Sequence, residues 1–373
     1  MKKIVFLSGT RADFGKIKSL ISVLKNSENF VPHIFVTGMH LEKKYGYTVL
    51  EIEKSGFDNI FKFENTTSEN TMDLTLAKTI QGFSAYVNKL KPDLIVIHGD
   101  RVEALAGAIV GSLNNVLVAH IEGGEVSGTI DELIRHSVSK MSHLHFVSNT
   151  EAKNRLLQMG ELPESIKVIG SPDVDVMFSD DLPSLEASKS HYEITFKKYA
   201  IAMFHPVTTE INEMETYAKC FVTALLESGK NYLIVFPNND LGSKYIIEEY
   251  LALKNNKKFR VLPSLRFEYF LVLLKNADFI IGNSSAGVRE APYYNLPTIN
   301  IGTRQQNRVV AKSILNSSYK TKDILECISR VPNLNFKEVN ISFGNGNSSK
   351  LFFETLKDNN IWQLSKQKLF RDI

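Results

Sequence analysis

The chain has 373 residues, of which 43% are hydrophobic and 23% charged, and its formal net charge is +3. This length favours two domains over a single core, and this balance is typical of a folded globular protein. Its lysines and arginines are scattered, which argues against a dedicated nucleic-acid-binding protein and leaves room for a local anion site.

The cysteine usage and the N-terminal residues indicate a cytoplasmic protein. Cys220 and Cys327 lack CxxC spacing, so we expect neither a disulfide framework nor a structural zinc site. The apolar run Ile4–Ser8 ends at a segment containing Arg11 and Asp13, too early for a signal peptide. No stretch reaches the roughly 18 uninterrupted apolar residues that span a bilayer.

Short apolar runs alternate with amphipathic segments in the first half of the chain. The predicted strands are Lys3–Ser8, His33–Thr37, Leu94–His98, Val116–His120 and His143–Ser148. The predicted helices are Ile17–Lys25, Leu76–Leu90, Ala104–Leu113 and Glu132–Met141. Apolar runs separated by helices are what a parallel sheet with right-handed crossovers requires.

The second half repeats this pattern after a polar stretch, residues 179–188, that we interpret as a linker. The predicted strands are Tyr199–Phe204, Tyr232–Phe236, Phe259–Leu262, Phe279–Ile281 and Thr298–Ile301. The predicted helices are Tyr217–Leu226, Tyr245–Leu253, Glu268–Leu274 and Ala286–Tyr293. The same alternation predicts a second parallel sheet.

We therefore predict an α/β protein with two doubly wound domains, residues 1–178 and residues 179–345. The remaining residues, 346–373, contain two helix-like segments, Ser348–Leu356 and Ile361–Phe370, which we expect to cross back to the first domain. Two doubly wound domains should place a ligand between the carboxyl ends of both sheets.

Two polar clusters follow predicted strand ends in the first domain. Residues 8–15 place Arg11 in a glycine-containing turn that could bring backbone N–H groups near a phosphate, but this cluster alone favours an ordinary strand-to-helix turn. The turn matches neither GxGxxG nor a Walker loop. Residues 98–103 contain His98, Asp100 and Arg101, and Asp100 stands where a helix N-cap would fall.

A third cluster in this domain is the richest in titratable groups. It comprises His120, Glu122, Glu125, Asp131, Glu132, Arg135 and His136. Helical geometry places Arg135 and His136 one turn after Asp131 and Glu132, on neighbouring surface. Structural needs alone rarely require so many titratable groups beside two glycines, so we predict a catalytic site here.

The second domain offers a candidate diphosphate site at residues 282–290. Small residues and hydroxyl groups at the start of the predicted helix Ala286–Tyr293 could bind a diphosphate through backbone N–H groups and the helix dipole. Glu290 could accept hydrogen bonds from ribose, and Arg304 and Arg308 would add guanidinium donors. His205 and Asn238 follow two other predicted strands, and each alone is more readily structural.

The histidines and carboxylates of the first domain do not have the spacing of a metal site. His98, Asp100, His120, Glu122 and His136 could be written as ligands, but no HExxH or similar pattern supports them. No GxSxG motif or Cys/His pair indicates acyl transfer. We therefore predict no metal and no cofactor.

These residues in this order resemble the hydrolysing UDP-N-acetylglucosamine 2-epimerases of sialic acid biosynthesis. The likeness runs from the GTRAD segment at 9–13 to Arg304. Its most specific pieces are HGDR at 98–101, HIEGGE at 120–125, the stretch 131–136, and GNSS at 282–285 with Glu290. Each piece is weak alone, and the ordered set is specific.

The resemblance implies two Rossmann-like domains facing a central cleft, the GT-B arrangement. It implies that Asp100, Glu122 and Asp131 are the catalytic carboxylates. It matches nucleotide-contacting positions to Arg11, His205, Asn238, Ser284, Ser285, Glu290 and Arg304, and we add Arg101 and Gly287 as candidate substrate contacts. His98, His120, Glu125, Arg135 and His136 stay as further active-site candidates.

The resemblance also implies the partners and the chemistry. It implies a UDP-sugar substrate, a UDP product, no redox cofactor and a homodimer or homotetramer, with no nucleic-acid or membrane partner. Elimination of UDP across carbons 1 and 2 would give 2-acetamidoglucal, and water would then add with a proton delivered to the opposite face of carbon 2. At least two groups on different faces are needed. How Asp100, Glu122 and Asp131 share these roles stays open at this point.

Several alternative functions would have the same architecture but a different substrate or reaction. A hydrolysing relative could act on UDP-2,4-diacetamido-2,4,6-trideoxyglucose in legionaminic acid pathways, and a non-hydrolysing 2-epimerase would return UDP-N-acetylmannosamine. A GT-B glycosyltransferase would transfer the sugar to an acceptor and leave carbon 2 untouched. A nucleotide-sugar sensor without turnover would leave the carboxylate cluster with little purpose.

Overall fold

The chain forms two compact units in a computed structural model. The structure describes residues 1–69, 71–127, 130–305, 312–334 and 343–372. The first unit comprises Met1–Glu125, Asp131–Ser179 and Ser342–Ile373, and the second comprises Val126–Ile130 and Asp180–Ile341.

Within the described ranges, each unit contains one parallel β-sheet. The first sheet consists of β1 (Lys2–Ser8), β2 (Phe30–Val36), β3 (Ile60–Lys62), β4 (Leu94–His98), β5 (Leu117–Ile121), β6 (Leu144–Val147) and β7 (Ile166–Val168). The second consists of β8 (Ala200–Met203), β9 (Tyr232–Val235), β10 (Phe259–Leu262), β11 (Ile280–Gly282), β12 (Thr298–Ile301) and β13 (Ile314–Ser317). The predicted α/β class, with two doubly wound sheets, is therefore confirmed.

Helices connect the strands. The first seven are α1 (Arg11–Lys25), α2 (Val49–Lys54), α3 (Met72–Leu90), α4 (Val102–Leu113), α5 (Ile130–Met141), α6 (Thr150–Gln158) and α7 (Pro172–Met177). The next six are α8 (Leu185–His191), α9 (Met214–Glu227), α10 (Ser243–Ala252), α11 (Phe267–Lys275), α12 (Thr321–Arg330) and α13 (Ser348–Lys357). Helix α8 begins inside the stretch that we interpreted as a linker.

The strand order decides which loops become neighbours. Among the described residues the first sheet has the order β3-β2-β1-β4-β5-β6-β7 and the second has the order β10-β9-β8-β11-β12-β13. Strands β1, β4 and β5 are therefore adjacent although α2, α3 and two other strands separate them along the chain. The loops that follow these three strands meet at the carboxyl edge of the sheet, where α/β proteins bind ligands.

Burial on both faces explains the central strands. Every residue of β4 and β5 is buried, and the apolar side chains of the first core include Phe6, Val96 and Ile121. Helix α4 lies close to these strands because it has no side chain at Gly107, where a Cβ atom would be 2.5 Å from Ile97 Cγ2. The second unit has its own core around Phe204, Phe221 and Ile281.

The C-terminal segment packs on the first unit. Phe352 and Leu356 of α13 are fully buried in the first core, and the Trp362 ring stacks on Phe30 with centroids 6.0 Å apart. The second helix-like segment that we predicted, Ile361–Phe370, is wrong, because a 3-10 turn ends at Gln363 and the chain then runs without regular structure.

Residues 366–371, which we call the strap, are held by buried polar groups. Lys368 donates to the carbonyl of Ser142 at the end of α5 (2.6 Å) and pairs with Glu161, while Arg371 donates to the Glu161 carbonyl (3.1 Å). His145 Nε2 lies 3.0 Å from the same carboxylate. Hydrogen bonds and ion pairing lower the pKa of Glu161 to about 2, although burial opposes the shift.

Within the described residues, no helix is long and apolar enough to cross a membrane.

Candidate active site

The carboxyl edge of the first sheet collects most of the predicted residues. His98 is the last residue of β4, and Asp100 and Arg101 follow it in the turn to α4. Glu122 follows β5 directly. Because β1, β4 and β5 are neighbours in the sheet, these loops meet the start of α1 as well.

His98 lies between two carboxylates in the protein interior. Its Nε2 atom is 3.2 Å from Glu122 Oε2, and its Nδ1 atom is 3.5 Å from Asp13 Oδ1. Burial alone would lower the pKa of His98, but Glu122 and Asp13 outweigh it and raise the pKa to about 9. Burial alone would likewise raise the pKa of Asp13, which His98 and Arg101 hold below its usual value.

Glu122 has a constrained backbone. Its φ angle is 65°, in the left-handed region that a residue with a side chain rarely adopts, and its N–H donates to the Phe146 carbonyl (2.9 Å). The Ser171 hydroxyl donates to Oε1, on the opposite side of the carboxylate from His98. The side chain is 5% exposed, so both its position and its partners are set by the fold. Strained backbone of this kind is concentrated at functional sites.

Asp100 is brought to α5 by an ion pair. Its carboxylate pairs with Arg135, whose side chain is buried and whose Nη1 atom also donates to the Glu125 carbonyl (3.3 Å). The Glu125 carboxylate accepts from Ser148 (2.7 Å). Asp131 stands in the first turn of α5, four residues before Arg135, so the two side chains share a helix face.

His120 and His136 differ from His98. His120 Nε2 is 2.8 Å from the Gly99 carbonyl and Nδ1 is 3.0 Å from the Ser139 hydroxyl, so both ring nitrogens are occupied by the fold. Burial lowers the pKa of His120 to about 3, which leaves a neutral ring that ties the β4–α4 turn to α5. His136 lies on α5 with Nε2 3.4 Å from Glu132 and one third of its side chain exposed.

Two further predicted arginines of the first unit, besides Arg135, also pair with carboxylates. Arg11 begins α1 and pairs with Glu51. Arg101 occupies the N-cap position of α4, and its Nε atom donates to Glu103 (3.3 Å), a residue that is 2% exposed.

A different arrangement is found at the carboxyl edge of the second sheet. The side chain of Asn283, which is fully buried, accepts from the His205 N–H (2.6 Å) and donates to the His205 carbonyl (2.9 Å). The Asn238 N–H donates to His205 Nδ1 (3.0 Å), so the proton of the neutral ring is on Nε2. Strands β9, β8 and β11, which precede these residues, are adjacent.

The predicted helix Ala286–Tyr293 is wrong. The chain forms two short 3-10 turns instead, Ser285–Gly287 and Ala291–Tyr294. Pro292 has no N–H to donate within a helix, which is why a regular helix cannot continue through it. A long helix dipole therefore cannot contribute to diphosphate binding here. The N–H groups of a tight turn are the backbone donors that remain for this purpose.

This turn begins at a glycine that no other residue could replace easily. Gly282 has a φ angle of 133°, and a Cβ atom there would lie 1.9 Å from the Met203 carbonyl oxygen. The Ser284 hydroxyl then accepts from the Ala286 N–H (3.3 Å) and caps the turn, and Ser285 is partly exposed. The chain thus changes direction directly after β11.

Three more predicted residues surround Asn283 or follow it. Arg304 Nη1 donates to the Asn283 carbonyl (3.2 Å), as does Gln305 Nε2 (2.9 Å). Gly287 and Glu290 are buried in and after the first 3-10 turn, with Glu290 3% exposed. Arg308, which we predicted as a phosphate donor, lies outside the described residues.

Sequence reasoning missed Asp13, Ser171 and Asn283 as members of these clusters. Asp13 and Asn283 stood inside motifs that we singled out, but Ser171 carried no signal, since it precedes α7 and is 49 residues from Glu122. Among the described residues no group of three or more histidines, cysteines, aspartates or glutamates is placed to hold a metal ion.

Comparison with known proteins identifies the family. The model of the UDP-N-acetylglucosamine 2-epimerase family matches residues 22–357. The chain belongs to this family.

Relatives in the family cover the whole chain. A UDP-N-acetylglucosamine 2-epimerase of Neisseria meningitidis is 47% identical over 100% of both chains. A UDP-N,N'-diacetylbacillosamine 2-epimerase (hydrolyzing) of Legionella pneumophila is 32% identical over 96% of each chain. The family that the sequence resembles, and with it an enzyme of the 2-epimerase type, is thereby confirmed.

The fold is that of a solved family structure. The crystal structure of Methanocaldococcus jannaschii UDP-GlcNAc 2-epimerase in complex with UDP-GlcNAc and UDP matches with a TM-score of 0.82. The two sequences are 24% identical, and the match covers 95% of this chain and 99% of the other. The chain therefore has the two-domain, GT-B-like α/β fold of the 2-epimerase family.

Proposed function

We propose that this 2-epimerase is of the hydrolysing type and converts UDP-N-acetylglucosamine and water to UDP and N-acetylmannosamine, in the cytoplasm and for sialic acid biosynthesis. The observation that carries the proposal is the set of ion-paired carboxylates at one sheet edge, where the buried Glu122 faces His98 and the partly buried Asp100 faces Arg135. Two proton transfers at carbon 2 need such groups.

The first step is an elimination. The proton on carbon 2 is not next to a carbonyl group, so enolisation cannot invert this centre. A carboxylate removes that proton, the C–H electron pair forms the double bond between carbons 1 and 2, and the bond from carbon 1 to the UDP oxygen breaks. The products of this step are 2-acetamidoglucal and UDP.

The second step is a hydration. The oxygen of a water molecule bonds to carbon 1, and an acid delivers a proton to the face of carbon 2 opposite the one that lost it. The result is N-acetylmannosamine with carbon 2 inverted. We assign the two proton transfers and the handling of water to Asp100, Glu122 and Asp131 together.

The second unit supplies the groups for UDP. Turn N–H groups after β11, the hydroxyls of Ser284 and Ser285, and the Arg304 guanidinium suit a diphosphate. His205, Asn238 and Glu290 complete the proposed UDP contacts. In support, the solved M. jannaschii family member was crystallised with UDP-GlcNAc and UDP.

Proton NMR of the purified protein with UDP-N-acetylglucosamine in deuterated buffer tests the proposal. We expect free UDP and N-acetylmannosamine that carries deuterium at carbon 2. Intact UDP-N-acetylmannosamine would contradict the hydrolytic step, and transfer of the sugar to an added acceptor would point to a glycosyltransferase.

A second substrate is supported by one comparison. The L. pneumophila relative is a hydrolysing 2-epimerase of UDP-N,N'-diacetylbacillosamine. The same chemistry on this diacetamido sugar nucleotide is therefore the second candidate, and a larger kcat/KM for it in the same NMR assay would overturn the assignment to UDP-N-acetylglucosamine. A homodimer or homotetramer, as we expect from the resemblance, would be measured by light scattering.

A further inference from the structure

The environment of His98 determines how many protons its ring carries. Both ring nitrogens face a carboxylate oxygen, Glu122 Oε2 at 3.2 Å and Asp13 Oδ1 at 3.5 Å. These contacts are ion pairs and not aligned hydrogen bonds. A neutral imidazole would leave the lone pair of one ring nitrogen facing a carboxylate oxygen, whereas an imidazolium directs positive charge at both oxygens. At 9% exposure, little water reaches the ring to replace either partner.

The other titratable groups near His98 do not neutralise the effect of the two carboxylates on its ring. Arg101, in the turn after β4, lies close enough to Asp13 to lower the pKa of that carboxyl. His120 of the neighbouring strand β5 is neutral, because burial lowers its pKa to about 3. Asp13 of α1 and Glu122 after β5 are therefore the two groups that set the charge of the ring.

The partners of Glu122 also favour one state of its carboxylate. Oε2 lies 3.2 Å from His98 Nε2 in an ion pair, and Oε1 accepts the Ser171 hydroxyl hydrogen, so each oxygen faces a group that favours negative charge. A protonated carboxyl would place an O–H against one of these two donors. The left-handed backbone of Glu122 fixes the carboxylate between them.

We propose that Asp13 and His98 form a positioning pair that holds Glu122 as an ionised carboxylate, and that Glu122 is therefore the base of the elimination. This assignment deepens the proposed function and rests on it. Glu122 takes the proton from carbon 2 in the elimination described above. His98 cannot serve as the onward acceptor of that proton because both of its nitrogens are already protonated, so the pair acts by position and charge.

The positive ring has two opposing effects on Glu122. A positive ring beside Glu122 makes the carboxylate a weaker base than an isolated buried one. The same ring keeps Glu122 deprotonated and in a fixed position at the start of each turnover. The acid of the hydration must then be a group other than Glu122.

Titration of the histidine ring nitrogens by NMR tests the charge state without any turnover. In protein labelled with nitrogen-15 at histidine, with the signal assigned by loss in His98→Gln, we expect His98 to lose its second proton near pH 9. Asp13→Asn should lower that pKa by about 1 to 3 units, since it removes one of two adjacent negative charges. Titration of wild-type His98 near its ordinary value, or an unchanged pKa in Asp13→Asn, would overturn the proposal.

Asp173→Asn is the matched control. Asp173 is a buried aspartate that pairs with Lys16 of the same helix α1 at 3.1 Å, so it tests loss of a buried carboxylate beside α1. This variant should leave the His98 titration where it is in the wild type. A shift as large as that of Asp13→Asn would show that general loosening of α1, and not Asp13 itself, sets the charge of the ring.

A pH profile of kcat with UDP-N-acetylglucosamine tests the role. Asp13→Asn should lower kcat about tenfold or more, part of the 10²–10⁴ that a positioned base contributes, with KM little changed. Its alkaline limb should move to lower pH with the pKa of His98. An equal loss at every pH would mean a structural role only. If the wild type fails to turn over, the proposed function fails, while the NMR titration still decides the charge of the pair.

Discussion

The two sheet edges hold their polar groups by different means. In the first unit the groups form ion pairs in which at least one member is buried, His98 with Glu122 and Arg135 with Asp100. In the second unit a neutral amide, that of Asn283, fixes the backbone of His205 through two hydrogen bonds. Even the charged Arg304 donates there to a backbone carbonyl.

This difference corresponds to a difference in task. Removing one member of a buried charge pair leaves an uncompensated charge and is strongly destabilising, and the pairs at the first edge also set the charge of the groups to which we assign the chemistry. Neutral hydrogen bonds fix a shape without setting protonation states. We therefore expect changes at the first edge to act on kcat and on pH dependence, and changes at the second edge to act on the affinity for UDP.

The largest expected effect is that of Glu122→Gln. The variant should lose about 10² to 10⁴ in kcat, because an amide cannot accept the proton from carbon 2. Its affinity for UDP, measured by calorimetry, should equal that of the wild type. A fall in UDP affinity as large as the fall in kcat would remove the distinction between the two edges, and a melting curve would first confirm that the variant is folded.

A smaller effect is expected from Asn283→Ala. The variant removes both hydrogen bonds to the His205 backbone and should weaken UDP binding about tenfold, which corresponds to about 1.4 kcal/mol. Asn316→Ala is the control, because Asn316 is an exposed amide on β13 of the same sheet whose side chain accepts from Asn300 Nδ2 (2.8 Å) and does not contact His205. Calorimetric titration with UDP should separate the two variants, and equal affinities would argue that the Asn283 contacts serve stability alone.

The smallest expected effect is a difference between the two units in how far their free energy of unfolding falls at low pH. Burial lowers the pKa of His40 and of His120 from 6.5 to about 3, so in the first unit the unfolded state takes up protons before the folded state does. The free energy of unfolding of this unit should therefore fall as the pH is lowered from 6.5 towards 3. Glu161, whose pKa is lowered to about 2, extends the loss below pH 4.5.

The sequence provides a probe for this measurement. The single tryptophan, Trp362, stacks on Phe30 of the first unit, so its fluorescence reports on that unit. Hydrogen exchange of peptides from β8 and β11 reports on the second. Equal loss of protection in both units at each pH would contradict the expected difference.

Much of the fold follows from apolar runs, and the exceptions have physical causes. The bounds of β4, β10 and β12 agree with the prediction because each strand is followed directly by a glycine or a proline, Gly99, Pro263 and Gly302, which marks its end. Strands β3 and β7 have three residues each and lie at the edges of their sheet, so their partly exposed side chains give no apolar run. Such strands depend on their neighbours more than on their own sequence.

The candidate site was predictable in its residue types and not in its pairings. The density of carboxylates beside two glycines indicated chemistry at Glu122 without any structure. The contact of His98 with Asp13 depends on β4 lying next to β1, and the contact of Ser171 with Glu122 depends on where α7 begins. Strand order is a property of the whole sheet, so no local pattern could reveal these partners.

The strap has a consequence for synthesis in the cell. The strands of the first unit leave the ribosome early, but Lys368 and Arg371, which close over Glu161, come only after β13 has been made. Domains generally fold as units in the order of their emergence. The nascent first unit must therefore persist with the surface around His143 and Glu161 uncovered while the second unit is translated, and this interval is when we expect it to depend most on chaperones.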